Sequence, residues 1–175
     1  MKTFALLLAP IFLFGFQFYG ILKLTPSAVV PVFYNKDYGY VECYMFGVSS
    51  SDNVQKTDCN ITKRDKKLMD HYTRGFVYNT LHIEQKYKIE MVDGLCKIYN
   101  GAHVYNYQLA REGYAFLSLA NITKKNEEIV KIRDLVEKAK NQRVGLWKEW
   151  RDEMSCLESE AAQNSALPEN WDEEG

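Results

Sequence analysis

The sequence predicts an α+β fold, mainly β: a five-stranded OB-type barrel with three helices. Three observations point there. Short runs rich in Val, Ile, Tyr and Phe, bounded by turn residues, fall in a group of three and then a group of two. Segments with helical signals stand between and after these groups, the order of a small barrel with helices packed against it. At 175 residues, 46% of them hydrophobic and 14% aromatic, the chain fills one compact domain with a real core and has short extensions to spare.

The N-terminus reads separately. Met1 and Lys2 precede an apolar run from Phe4 to Phe14, the pattern of a secretory h-region. Extended to Leu22, the run is nearly long enough to span a bilayer. Residues 1–19 are therefore expected to be a signal peptide or a membrane anchor. Either places the remainder outside the cytoplasm: secreted, periplasmic or held at the membrane. The domain proper is expected over residues 20–150.

Phe18–Leu24 reads as the first strand, Val29–Tyr34 as the second and Tyr40–Val48 as the third, with Thr25-Pro26-Ser27 and Asn35-Lys36-Asp37 as turns. Thr62 has the chemistry of an N-cap, with Asp65 three residues on and Leu68, Tyr72 and Phe76 on one helical face. His82–Met91 and Leu95–Tyr99 return to strand character around Asp93-Gly94, a hairpin turn signal. Tyr105–Glu112 is a short helix with Gly113 as its C′ residue. Lys124–Arg143 is the longest helix, and Ile129, Ile132, Val136 and Ala139 form its apolar stripe. Residues 151–175 are expected to be an acidic disordered tail, because Asp152 to Gly175 holds eight carboxylates and no basic residue.

That tail hides a basic body. The net charge is −1, yet outside the tail 22 basic residues face 15 acidic ones. Such a body suits an anionic partner, and a tethered polyanion beside it competes for the same surface. Four cysteines, Cys43, Cys59, Cys96 and Cys156, permit disulfides with three connectivities in an exported chain. Cys43 and Cys96 lie in apolar runs and fit equally as small core residues. No Cys/His cluster has zinc spacing, and His71, His82 and His103 are scattered.

The segment from Asn106 through Leu109, Arg111, Glu112 and Gly113 to Ala115 resembles the "N-x-x-L-V-R-E-G-x-A" helix of the thermonuclease (staphylococcal-nuclease-like) family. Gly145-Leu146-Trp147 resembles its closing "G-L-W", and Tyr44-Met45-Phe46-Gly47-Val48 is similar to its third strand. Asn106, Leu109, Arg111, Gly113 and Trp147 are the structural motif of the resemblance. They speak for the fold rather than the reaction. The resemblance implies a calcium ion held by two aspartates, a glutamate that orients water and two arginines on the phosphate. At those positions this chain carries Ser27 and Ser49 for the aspartates, Asp52 for the glutamate, Tyr44 for one arginine and Asp93 or Lys88 for the other. Asp52 is the one catalytic candidate that survives, and Ca2+ is the cofactor only of an active nuclease.

Nucleic acid is the partner the resemblance implies, with the N-terminal segment as a link to the membrane if uncleaved and any protein partner undefined. Tyr38 and Tyr40, with Tyr34 and Tyr44, lie on adjacent strands, where tyrosines stack bases or simply fill half-buried surface. Lys124 and Lys125 open a basic helix whose interleaved acids equally suit ordinary ion pairing. Three readings follow: a catalytically degenerate, exported nuclease-like domain that binds nucleic acid or serves the envelope, an active nuclease with a site rearranged around Asp37, Asp52, Glu90 or Asp93, and a protein-interaction module.

Overall fold

The computed structural model describes residues 16–122, 124 and 126–163. Strand β1 (Phe16–Leu24) is the spine of the sheet, because its alternating pattern turns Phe18, Gly20 and Leu22 inward and Tyr19, Ile21 and Lys23 outward. It pairs antiparallel with β2 (Val32–Asn35) on one side and β5 (Lys86–Val92) on the other. Strands β3 (Gly39–Glu42), β6 (Leu95–Asn100) and β7 (His103–Val104) complete the order β3-β2-β1-β5-β6-β7. Asp93 and Gly94 make the β5–β6 turn with φ of 51° and 80°, the left-handed pair that such a two-residue hairpin requires. Strand β4 (Val48–Ser49) leaves the main sheet and pairs with β8 (Phe116–Leu117).

The barrel closes along a seam that local pattern does not reveal. After β3 the chain crosses to β6, where Met45 bridges Cys96 in parallel. Cys96 donates its N–H to the Tyr44 carbonyl (2.7 Å) and its own carbonyl accepts from Phe46 (2.9 Å). The disulfide Cys43–Cys96 sits on this seam. Its two cysteines are fully buried, as the core reading expected, and they are also bonded to each other.

Helix α1 (Lys63–Thr80) begins at the predicted cap, the Thr62 hydroxyl accepting from the Asp65 N–H (3.1 Å). Its buried stripe is Met69, Thr73 and Val77, one residue round from the expected Leu68, Tyr72 and Phe76. The shift leaves Tyr72 exposed and Leu68 and Phe76 half-buried. Helix α2 (Tyr105–Arg111) is short, and α3 (Glu127–Gln142) starts three residues later than expected, because Asn126 accepts from the Ile129 N–H (2.9 Å) and caps it. The apolar stripe of α3 is buried as predicted.

Two expectations need correction. Residues 151–163 are not disordered: they form a fourth helix, α4 (Arg151–Gln163), with Met154 and Leu157 buried. Acidic composition concealed its anchors. Cys156 is bonded to Cys59, Glu160 accepts from the Thr57 hydroxyl and the Asp58 N–H (both 2.7 Å), and Glu158 takes the Lys140 ammonium (2.8 Å). The rest of the tail lies outside the described residues. At the other end Phe16–Tyr19 pair with Ile89, Lys88 and their neighbours in β5, so the domain starts before residue 20 and a span reaching Leu22 is strand instead. Among the described residues no helix is long and apolar enough to cross a membrane. The apolar run Phe4–Phe14 lies outside them.

Candidate functional site

The turn after β1 and the 3-10 turn Ser51–Asn53 meet at one edge of the barrel. Asp52 joins them. One carboxylate oxygen accepts from the Ala28 N–H (2.9 Å) and the other from the Ser50 hydroxyl (2.6 Å). Ser27 donates to the Asn53 side-chain carbonyl (3.3 Å), and the buried Tyr105 hydroxyl donates to the Ala28 carbonyl (3.2 Å). The remaining cavity beside Asp52, lined by Thr25, Ser27, Arg74, Val77 and Tyr78, has about 10 Å3, no more than one water needs. Burial pushes the Asp52 carboxyl up, against the opposing pull of the Ser50 and Ala28 hydrogen bonds.

That raised value has a consequence for stability. As pH rises from the ordinary aspartate value of 3.8 to the raised one, the folded chain keeps a proton that the unfolded chain has released. Stability therefore falls with rising pH through that window. Urea unfolding of wild type and Asp52→Asn between about pH 4 and 6 checks the sign: the wild-type midpoint should drop relative to the variant. A rise would show Asp52 to be held ionised.

The other acidic candidates do not converge on Asp52. Asp37 lies in the β2–β3 turn and Asp93 in the β5–β6 turn. Glu90 faces out from β5, where the Tyr99 hydroxyl donates to it and the buried Lys97 stands 3.7 Å away. The Tyr99 hydrogen bond, more than Lys97, holds its carboxyl below the usual range despite partial burial. Cys59, Cys156 and Glu160 gather their ligand atoms within 4.8 Å, but the sulfurs are bonded to each other and offer no thiolate.

The outer face of the main sheet carries a different constellation. Cross-strand register aligns Tyr40, Tyr34, Ile21 and Lys86 in one row, and Tyr19, Lys88 and Tyr99 in the next. Tyr40 is 71% and Tyr19 57% exposed, so their rings are spent on no core. Lys86 stands over the Tyr19 ring (4.9 Å) and Lys88 over Tyr99 (5.0 Å). Beside them a groove of about 530 Å3 opens between the first half of β1 and the β2–β3 hairpin, with Tyr34, Lys36, Tyr38 and Lys86 in its walls. Tyr40 joins this face with an edge contact to Tyr34 (5.4 Å). Tyr38 packs edge-on to Phe16 and Phe18 instead and closes the end of the groove. Tyr19, Tyr99 and Lys86 were missed in sequence and Lys88 was named only as a position for the second arginine, because only strand register shows that the four share a face.

The helix cations divide between exposed and engaged ones. Lys124 is exposed and Lys125 lies outside the described residues. Farther along α3, Lys131 covers the Tyr107 ring (4.3 Å), Arg133 pairs with Asp134, and Lys140 with Glu137 and Glu158.

The family model described as staphylococcal nuclease homologue matches residues 44–149, more than half of the chain. The chain belongs to this staphylococcal nuclease homologue family. No curated protein matches it.

Within this nuclease homologue the motif residues hold the fold, with one exception. Asn106, fully buried, donates to the Phe46 and Cys96 carbonyls (2.9 and 3.0 Å) and accepts from the Ile98 N–H (3.2 Å), so it bridges the barrel seam and does not cap α2. Gly113 and Gly145 let two loops touch: a Cβ on Gly113 would lie 2.2 Å from the Val144 carbonyl oxygen. Leu109 and Trp147 are fully buried. Arg111 is the exception: among the described residues it pairs only with its exposed neighbour Glu112. The nuclease homologue's own residues fit a calcium ion poorly. A hard cation wants six or more oxygens, yet both Asp52 oxygens are engaged and only serine hydroxyls stand at the aspartate positions. Where the resemblance implies guanidinium groups, Tyr44 donates to Glu42 (3.2 Å), and of the two positions for the other, Asp93 adds negative charge and Lys88 lies over the Tyr99 ring.

Proposed function

We propose that this nuclease homologue is catalytically degenerate and binds single-stranded nucleic acid on the outer face of its sheet, outside the cytoplasm. The observation that carries the reading is the pair of rows, Tyr40-Tyr34-Ile21-Lys86 and Tyr19-Lys88-Tyr99, that gather four tyrosines and two lysines on one face. Tyrosine faces stack bases without sequence preference, each worth about 1–3 kcal/mol. An arriving base displaces the ammonium that now covers a ring, and the released lysine is within reach of the phosphate beside that base. The sheet face is also where OB folds bind oligonucleotides. Degeneracy rests on the Asp52 clasp, which turns the last carboxylate of the implied catalytic set into a cross-link. The location outside the cytoplasm rests on the apolar run behind Lys2 and on two disulfides.

Fluorescence anisotropy with a labelled oligothymidylate tests the binding. Tyr34→Ala with Tyr40→Ala should weaken it by about tenfold or more, and Lys86→Gln with Lys88→Gln should flatten the salt dependence by about 1.4 in log–log slope. Calcium-supplemented digestion of DNA and RNA should stay at background. No binding at low salt removes the nucleic-acid reading in favour of a protein-interaction module. Calcium-dependent cleavage abolished by Asp52→Ala removes the degenerate one.

A further inference from the structure

Away from the sheet, a concavity of about 690 Å3 lies where α1 meets the entry to α4. Asp65, Leu68 and Tyr72 line it from one face of α1, Tyr114 closes one side, and Leu146 and Trp150 close the other. It is the face that the shifted burial of α1 leaves uncovered. The Tyr72 and Trp150 rings lie 5.8 Å apart at 45°, and Tyr114 is fixed from behind by stacking on Phe76 (4.7 Å). Asp65 sits among them, accepting from the Trp150 indole N–H (3.3 Å) and the Thr62 hydroxyl (2.5 Å). Those hydrogen bonds, Thr62 first, hold its carboxyl below the usual range, so it stays charged. Of the remaining charges, Lys148 and Glu149 are exposed on the rim and face each other at 3.7 Å.

We propose that this pocket binds a quaternary ammonium group, with Tyr72, Trp150 and Tyr114 as the ring walls and Asp65 as the counter-charge. Ring faces attract a cation through their quadrupole, and weak hydration makes a quaternary ammonium cheap to bring there. A primary ammonium brings three donors that need acceptors, and Asp65 already commits one lone pair of each oxygen, to Thr62 and to Trp150, leaving about two. A quaternary group donates nothing and asks only for rings and a nearby negative charge. The group can come from a free solute or from a lipid headgroup.

Titrating the full chain with choline chloride, read by tryptophan fluorescence and saturation-transfer NMR of the methyl signal, tests this. Saturable binding at about millimolar concentration is expected, with sodium chloride at equal ionic strength without effect. The neutral isostere 3,3-dimethylbutanol should bind on the order of tenfold more weakly. Tyr72→Ala, at an exposed position, should lose about as much while circular dichroism stays native. Asp65→Asn keeps shape and removes charge, and should weaken choline but not the isostere. Co-sedimentation with phosphatidylcholine against phosphatidylglycerol vesicles separates the sources: Tyr72-dependent capture by the first alone assigns the lipid headgroup. Equal binding of the isostere, preference for a neutral sugar, binding unchanged in Tyr72→Ala, or no binding to choline or phosphatidylcholine overturns the proposal.

Discussion

Replacing Cys59 and Cys156 together by serine should lower the unfolding free energy by about 4–5 kcal/mol, the loop-entropy value for a link across nearly a hundred residues. The bond spans 97 positions and is the covalent anchor of α4. What remains is modest: Met154 and Leu157 against the core, Glu160 on Thr57 and Asp58, and Glu158 on Lys140. Without the link only such non-covalent contacts hold the segment, so α4 should lose amide-exchange protection before the barrel does. Guanidinium unfolding of wild type and the double variant measures the difference. A loss below about 1 kcal/mol would show that α4 docks without help. The native chain should also resist alkylation until reductant is added. The same geometry changes how the acidic end is tested as a competitor for anionic ligands. A cut after Trp150 removes Cys156 and two core residues along with the charge, so truncation after Gln163 is the informative one.

Asn106→Ala should cost about 2–5 kcal/mol, because removing one side chain takes this partner from two buried backbone groups and one of two donors from a third. The Phe46 carbonyl loses this donor and the Ile98 N–H this acceptor, while the Cys96 carbonyl keeps the Phe46 N–H. Asn106 is fully buried, and water cannot replace it. Cys96 belongs to the seam that closes the barrel, so the damage should loosen pairing between the Tyr44–Phe46 segment and β6 as well as the docking of α2. Asn106→Asp is a sharper test. It keeps the acceptor for Ile98, turns two good contacts into carboxylate facing carbonyl, and should destabilise at least as much at neutral pH. Arg111→Ala, in the same motif but on the surface, should stay within about 0.5 kcal/mol. Equal effects at the two positions would mean that the motif acts through α2 propensity, not through the bridge.

Features that neighbours in the chain decide were legible before any fold was drawn. Thr62 caps α1 because its hydroxyl needs only the N–H three residues on, Asp93-Gly94 turns because both accept positive φ, and α3 buries the stripe that its 3.6-residue period marks. The Asn106-to-Trp147 motif placed the family for the same reason, as residue types at fixed spacing. The tertiary structure decided whatever depends on approach between distant segments. It paired Cys43 with Cys96 and Cys59 with Cys156 out of three open connectivities, and it docked α4 where composition alone reads as disorder. Register between β1, β2, β3 and β5 separated Tyr40 from Tyr38 and added Tyr19, Lys86 and Lys88 to one surface. Asp52 was legible as a surviving carboxylate, but its partners Ala28 and Ser50 come from two loops, and only their meeting makes it a clasp. Hydrogen-bond satisfaction and burial are properties of the packed ensemble of segments, and a carboxylate's role follows from what surrounds it in space.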